Sequence, residues 1–473
     1  MVKMSDGHSQ PKAPAYEKLP PPRRRAARGG PDLDKLTVKL EVVTPTLGGS
    51  HETRAIDEVD VIRAPSIRGH LRFWWRALHA ADFTNAEELY RRESAIWGRA
   101  ANESGGRSAV EIRIGVQHAG AKDDTAIRLF PGQGQLATPG AYALWPARAE
   151  TRTNTPTAPR RGPGTMFQLT LRVAGTQEDE AQVRNAVRAW ILFGGYGSRT
   201  RRGLGSLTVT ECVEEWLPTA ATCEALTELF GRNIFEVPEV EPGVLPWLGG
   251  ASLHLGTAGM QAPSAWTTAL DWLREFRQGT TGPQGGRARE PGEGKPQPQR
   301  PSISNWPEAD KIRHVKSKLR AHPPRHNATA AWPRAGFGLP IIGQFQKQDR
   351  AGIANAYDEP GPFELRWRAG GVEYDRLASP LIVKALPLAD GSFVPCALWL
   401  NRRLANDAEV GLMRQKPNRP HEREIDPQTV APLDRLMAPG DVAQFSALTG
   451  KSSLRRAFLD WLARKYKTTV VAP

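Results

Sequence analysis

Apolar and polar residues alternate along residues 36–43 (LTVKLEVV), 110–117 (VEIRIGVQ), 166–173 (MFQLTLRV) and 206–211 (SLTVTE), and each stretch predicts a β-strand. Between the first two, Ile67, Leu71, Trp74, Trp75 and Leu78 recur at helical spacing, with Pro65 at the start and Ser66 as the expected N-cap. Both tryptophans read as core. Residues 86–98 (AEELYRRESAIWG) predict a shorter helix that Gly98 ends. Residues 178–193 (EDEAQVRNAVRAWILF) place Val183, Val187, Trp190 and Ile191 on one helical face. The resulting order is strand, helix, strand, strand, helix, strand.

That order, βαββαβ, predicts an α+β, ferredoxin-like (RRM-like) domain, an arrangement found in many RNA-binding modules. The first such domain is expected over 32–215. Its polar loop at 51–60 and its Gly/Pro/Arg/Thr-rich stretch at 120–164 are expected as exposed loop and long insertion. The second half repeats the signals less clearly. A strand is expected near 253–257, a helix at 264–277 carrying Trp266, Leu270, Leu273 and Phe276, and strands at FELRWRAG, SPLIVKAL and FVPCALWL. A last helix over 451–466 places Leu454, Phe458, Trp461 and Leu462 on one face. These predict a second ferredoxin-like domain over 216–473, interrupted by a flexible Gly/Pro/Gln segment at 279–301. Residues 1–31 end in PPPRRRAARGG and read as a disordered basic tail.

Charge narrows the partners. The chain of 473 residues carries a formal net charge of +14, which favours nucleic acid or another anionic surface. No apolar run approaches a membrane span, and the N-terminus lacks an apolar signal core, so a cytoplasmic protein is expected. Cys212, Cys223 and Cys396 form no C-x-x-C pair and predict no zinc site. No motif calls for a cofactor or a bound metal.

The stretch Phe193–Leu207, FGGYGSRTRRGLGSL, holds the most specific chemistry. Gly195, Gly197, Gly203 and Gly205 would let the backbone approach a ligand, and Arg199, Arg201 and Arg202 offer planar forks that fit phosphate. The loop joins a helix to a strand, and Thr200 stands where a dinucleotide fingerprint needs glycine, so neither that motif nor a P-loop applies. A second candidate is the row Arg68, Arg72, Arg76, which shares one helix face. No glutamate partner is apparent on that face, so it is expected to follow a phosphate backbone. Lys311–Arg320 (KIRHVKSKLR) is a basic run that reads equally as RNA contact or solvated face. Two catalytic routes remain open: Asp57 and Asp60 holding Mg²⁺, or His51 or His70 as general base. His322 and His326 lie in a proline-rich loop and are not read as metal ligands.

The segments TPTLGGS, APSIRGHLRFWWRAL, ESAIWG and GGYGSRTRRGLGSL, in this order, resemble the RAMP superfamily of CRISPR proteins. Their joint occurrence looks like the first subunit of the Cmr (type III-B) effector complex. The likeness covers about residues 36–213, with a weaker match at RLASPLIVKALP. It implies two ferredoxin-like domains and a noncatalytic, RNA-binding role in antiviral defence. The implied partners are the guide RNA near its 3′ region, the target RNA and other RAMP subunits. Arg68, Gly69 and Arg72 match the helix motif, and the glycines and arginines of the loop match the glycine-rich motif. The alternatives are a RAMP endoribonuclease and a pure protein scaffold.

Overall fold

The structure is a computed structural model that describes residues 34–50, 52–99, 106–128, 136–150, 153–239, 246–278, 306–319, 324, 326–345, 359–416, 419–441 and 447–472. The expected basic tail, the segment 279–301, His51 and His322 lie outside the described residues.

The N-terminal part contains β1 (Asp34–Val42), β2 (Thr46–Leu47), α1 (Ala64–His79), α2 (Ala86–Trp97), β3 (Val110–His118), β4 (Lys122–Asp123), α3 (Ala141–Leu144), β5 (Arg160–Arg161), β6 (Thr165–Val173), α4 (Gln177–Phe193) and β7 (Leu207–Val209). The four long-range partners form an antiparallel sheet in the order β3-β6-β1-β7. Alternation sets its faces. Leu36, Val38, Leu40 and Val42 of β1 and Phe167, Leu169, Leu171 and Val173 of β6 are buried against α1 and α4. Thr176 caps α4 in a capping box with Asp179, and Gly98 ends α2 with φ +81°. Helix α1 begins earlier than its sequence suggests. Arg63 is the N-cap, without a side-chain capping bond, and Ser66 lies inside the first turn.

After α5 (Val213–Trp216) and α6 (Cys223–Phe230), the C-terminal part contains β8 (Trp247–Leu255), α7 (Ala262–Gln278), α8 (Pro307–Val315), β9 (Ile341–Gly343), β10 (Phe363–Ala369), β11 (Val372–Tyr374), β12 (Leu381–Pro387), β13 (Phe393–Asn401), β14 (Glu409–Lys416), β15 (Arg419–Ile425), β16 (Ala431–Pro432), α9 (Leu454–Tyr466) and β17 (Thr469–Ala472). A second antiparallel sheet runs β12-β13-β8-β17. Leu253, Leu255, Ile382, Leu386 and Leu398 join the core of the first sheet with α1 and α4. Leu381, Val383, Ala385, Ala397 and Trp399 on its other side pack with α7 and α9. The order of layers is therefore sheet, helices, sheet, helices. Double coverage explains why every residue of β12, LIVKALP, is buried rather than every second one.

Two regions are more ordered than their sequences suggest. Within 120–164, β4 and β5 join β2 in a three-stranded sheet, and α3 packs beside α7. A further sheet, β11-β10-β14-β15 with β9 on β10 and β16 on β14, encloses its own core around Ile312, Trp332, Leu365, Trp367 and Val410. Helix α8 carries the start of the basic run, and for Lys311 and Arg313 both readings are corrected, whereas Lys316 beyond the helix is exposed. Lys311 and Arg313 are wholly buried, with Asp441 and with Asp310 and Glu359 respectively. Arg320 lies outside the described residues.

Candidate nucleic-acid interface

The glycine-rich loop leaves α4 and folds back on the turn after β1. Ser198 N–H donates to Leu47 O (2.8 Å), Gly205 N–H to Pro45 O (2.9 Å) and Thr44 Oγ1 to Gly203 O (2.7 Å). Tyr196 N–H bonds Gly205 O (2.9 Å), and Tyr196 Oη accepts from the Arg63 N–H at the start of α1 (2.9 Å). The TPTLGGS turn, the helix start and the loop thus form one hydrogen-bonded body.

The glycines serve this packing. Gly205 has φ +63°, and a Cβ there would lie 1.8 Å from Tyr196 O. Gly203 has φ +75°, and a Cβ would meet the Trp266 ring at 2.3 Å. A Cβ on Gly195 would press on Gly205 O at 2.7 Å, and one on Gly197 on Thr46 Cγ2 at 2.8 Å. The expectation that these glycines open a path to a ligand is therefore corrected: what comes close is the protein's own backbone and Trp266. Gly69 differs. It is exposed in the second turn of α1, with nothing within 4 Å of an added Cβ.

The loop arginines reach across to other parts of the chain. Arg199, exposed and at φ +59°, donates to Ala143 O in the 120–164 region (2.9 Å). Arg201 donates to Ser379 O just before β12, and its guanidinium carbon lies 5.5 Å from the Phe73 ring centroid. Arg202 donates to Leu381 O (3.1 Å), and its own carbonyl accepts from Trp266 Nε1 (2.8 Å). Arg402, just past β13, donates to Ala378 O (2.5 Å). Guanidinium groups from the glycine-rich loop and from the segment after β13 thus converge on the consecutive carbonyls Ala378 and Ser379.

All of these acceptors are neutral. Among the described residues, no carboxylate is in ion-pair range of Arg199, Arg201, Arg202 or Arg402. Burial pushes Arg201 and Arg402 down to about 10 and Arg202 to about 9, so all remain charged at neutral pH. Desolvated cations with neutral partners alone favour an incoming anion, which would restore the lost charge interaction. Arg402 and Phe73 were not visible as site residues in the sequence, because only the tertiary fold brings them beside Arg201.

The helix row is differently placed. Arg68 donates to Ser108 Oγ (2.6 Å), Trp97 O (3.2 Å) and Val110 O (3.3 Å). Arg72 pairs with Glu93 of α2 (2.7 Å) and donates to Gly98 O (3.3 Å); Arg76 pairs with the same glutamate. The expected carboxylate-free face is thus corrected: Glu93, nearly fully buried, comes from the neighbouring helix. Trp74 and Trp75 are both buried.

Of the catalytic candidates, His51 lies outside the described residues. Asp57 Oδ1 accepts from the N–H groups of Val59 (3.0 Å) and Asp60 (2.8 Å), closing a local turn, while Asp60 is exposed. His70 stacks on Trp190 with centroids 6.0 Å apart, and burial holds it down to about 4. Among the described residues, no three His, Cys, Asp or Glu side chains are grouped to hold a metal ion. Among them, too, no helix is long and apolar enough to cross a membrane.

Residues 39–208 match the family model of the RAMP superfamily. Among solved structures, the chain is similar to Cmr1 from Pyrococcus furiosus, at 15% identity, covering 79% of this chain and 89% of that one, with a TM-score of 0.44. It is also similar to a chain of the Type III-B Cmr-beta complex bound to cognate target RNA and AMPPnP. That likeness is at 12% identity, over 79% of this chain and 96% of that one, with a TM-score of 0.40. A chain of a Type IV-B CRISPR complex matches 38% of this chain and 91% of its own length, at 18% identity and a TM-score of 0.26. No curated protein matches the chain.

Proposed function

From the RAMP-superfamily match of residues 39–208, we propose that this chain is a noncatalytic, RNA-binding subunit of a type III-B CRISPR (Cmr) effector complex. In this reading it helps hold the guide RNA 3′ region and capture target RNA in antiviral defence, inside the cytoplasm. Its partners are those RNAs and other RAMP subunits. Both four-stranded sheets share one strand order: second, third, first, fourth in chain sequence. Each has a long helix, α1 or α7, between its first and second strands and another, α4 or α9, before its last. This supports reading both as ferredoxin-like units.

The observation that carries the proposal is the convergence of Arg201 and Arg402 on adjacent carbonyls with no carboxylate beside them. Together with Arg199 and Arg202 they form a seat for backbone phosphates. Arg72 and Arg76 outnumber the single charge of Glu93 and extend the basic surface along α1. Arg68, held by three oxygens, fixes α1 to α2 and β3. Phosphate contacts carry no sequence information, so selectivity comes from guide–target pairing.

Salt tests this directly. Four arginines on a single strand give a log-affinity against log-salt slope of about 3 in magnitude. The Arg201→Gln, Arg402→Gln pair is expected to lower it by roughly 1.4. An unchanged slope would overturn the seat. Cleaved RNA in the same incubations, lost in Asp57→Ala or His70→Ala, would replace the noncatalytic reading with an endoribonuclease. Intact RNA with no binding, and capture of an acidic subunit instead, would favour a scaffold.

A further inference from the structure

The chain has fourteen tryptophans, and every one except Trp145 is buried. Trp145 is 39% exposed. It sits in a short 3₁₀ turn, Trp145–Ala147, that directly follows α3. Its surroundings are unusually fixed for an exposed segment. Ala143, Leu144 and Ala147 on either side of it are buried in the core that contains Trp266 and α7. From below, Arg54 gathers four carbonyls: Pro146 (2.6 Å), Ala147 (3.4 Å), Arg148 (3.0 Å) and Pro156 (2.6 Å). Arg54 itself stands at φ +63°, in a backbone region that non-glycine residues enter rarely. The turn is held from two sides while the indole is left in water.

One cation lies over that indole, and a second holds the backbone just before it. The Arg148 guanidinium carbon lies 3.9 Å from the Trp145 ring centroid. Two residues before the tryptophan, Ala143 O accepts from Arg199, a member of the phosphate seat. A rigid exposed aromatic ring, an arginine stacked on it and a phosphate-seat arginine next in line are the parts that sequence-tolerant single-strand recognition uses.

We propose that Trp145 is a stacking platform for an unpaired RNA base, with Arg148 stiffening it and Arg199 holding the neighbouring backbone. The proposal rests on the RNA-binding reading above and adds a base contact to a surface otherwise described by phosphates. The 120–164 region then serves to carry this platform to the edge of the seat.

The test uses the full chain and two single-stranded RNA oligomers of equal length, one ordinary and one with abasic positions throughout. Trp145→Ala is expected to weaken binding of the ordinary oligomer about 5- to 150-fold, the range for one base on one aromatic ring. Trp145→Phe should recover most of that loss. The salt slope should be unchanged, since no charge is removed. On the abasic oligomer, wild type and Trp145→Ala should bind alike. Thermal melting of both variants checks that the fold is intact. Equal affinity of Trp145→Ala and wild type for the ordinary oligomer overturns the platform. If the Arg201→Gln, Arg402→Gln slope still falls, the RNA-binding reading survives that failure. A Trp145→Ala loss of equal size on the abasic oligomer also overturns it, and assigns the ring to a protein or backbone contact. Absence of RNA binding by the wild type removes both readings.

Discussion

At the residue scale, glycines that look alike in the sequence have separate roles. Gly69 and Gly203 both belong to recognisable motifs beside arginines. Gly203 is demanded by the fold, because its φ is +75° and Trp266 occupies the space of a Cβ. Gly203→Ala should destabilise the protein by about 1–3 kcal/mol, from strain and overpacking together. Gly69 has an ordinary helical backbone and open space around it. Glycine there costs the helix, so Gly69→Ala should raise stability by about 0.5–1 kcal/mol. If the open space exists for an RNA backbone, the same change should weaken RNA binding. Denaturant midpoints and affinities of the two variants separate the cases; a Gly69→Ala protein that is both more stable and fully competent would remove Gly69 from the interface. The sequence showed where glycines were needed but not what approached them, because Trp266 is far away in the chain.

At the element scale, periodicity was readable and partnership was not. The strands β1, β3 and β6 and the helices α1, α2 and α4 follow from patterns local to each stretch. Glu93 was equally visible as a residue, yet its place between Arg72 and Arg76 depends on how α2 lies against α1. Helix α8 makes the same point more strongly. Its charges suggest a surface, but Glu308, Asp310, Lys311 and Arg313 are all buried, and their partners Glu359 and Asp441 come from distant segments. A buried ion pair is costly to break and weak evidence for net stability. Lys311 Nζ pairs with Asp441 and also donates to Asn327 Oδ1 (2.9 Å). Asp441→Ala alone should therefore lose about 3–5 kcal/mol, since it strands a buried ammonium. The double change Lys311→Met, Asp441→Leu should recover the part due to the stranded ammonium, though not the bonds that Asp441 accepts from the Asn327 and Ala438 N–H groups. A double-mutant cycle by chemical denaturation reads the difference, and equal losses in single and double variants would show that the pair is not the mechanism.

At the scale of the whole molecule, the layered order makes one strand answer to two cores. Residue type alone marked β12 as a strand; only the stacking of the second sheet between two helix layers accounts for its complete burial. That position also explains Lys384. From β12 its ammonium reaches into the first unit and donates to Ile191 O (2.8 Å) and Gly194 O (2.9 Å), the carbonyls at the end of α4 where the glycine-rich loop begins. It is a cross-layer cap, and burial pushes its pKa down to about 7. In the unfolded chain a lysine titrates near 10.4. Between about 7 and that value, the unfolded chain holds a proton that the folded chain has released. Stability therefore rises with pH through this window and loses the contribution as pH falls through 7. The neighbouring Cys396 thiol, pushed up to about 12 by burial, acts in the opposite direction above about 8.5, so the clean interval is pH 6 to 8.5. Replacing the lysine by methionine removes the titration and keeps most of the volume. The stability of Lys384→Met relative to wild type should thus be greater at pH 6 than at pH 8.5, by on the order of 2 kcal/mol. Denaturant midpoints at the two pH values measure it. A difference that does not change with pH would show that Lys384 keeps its proton throughout, and that the two carbonyls hold the charge more firmly than burial opposes it.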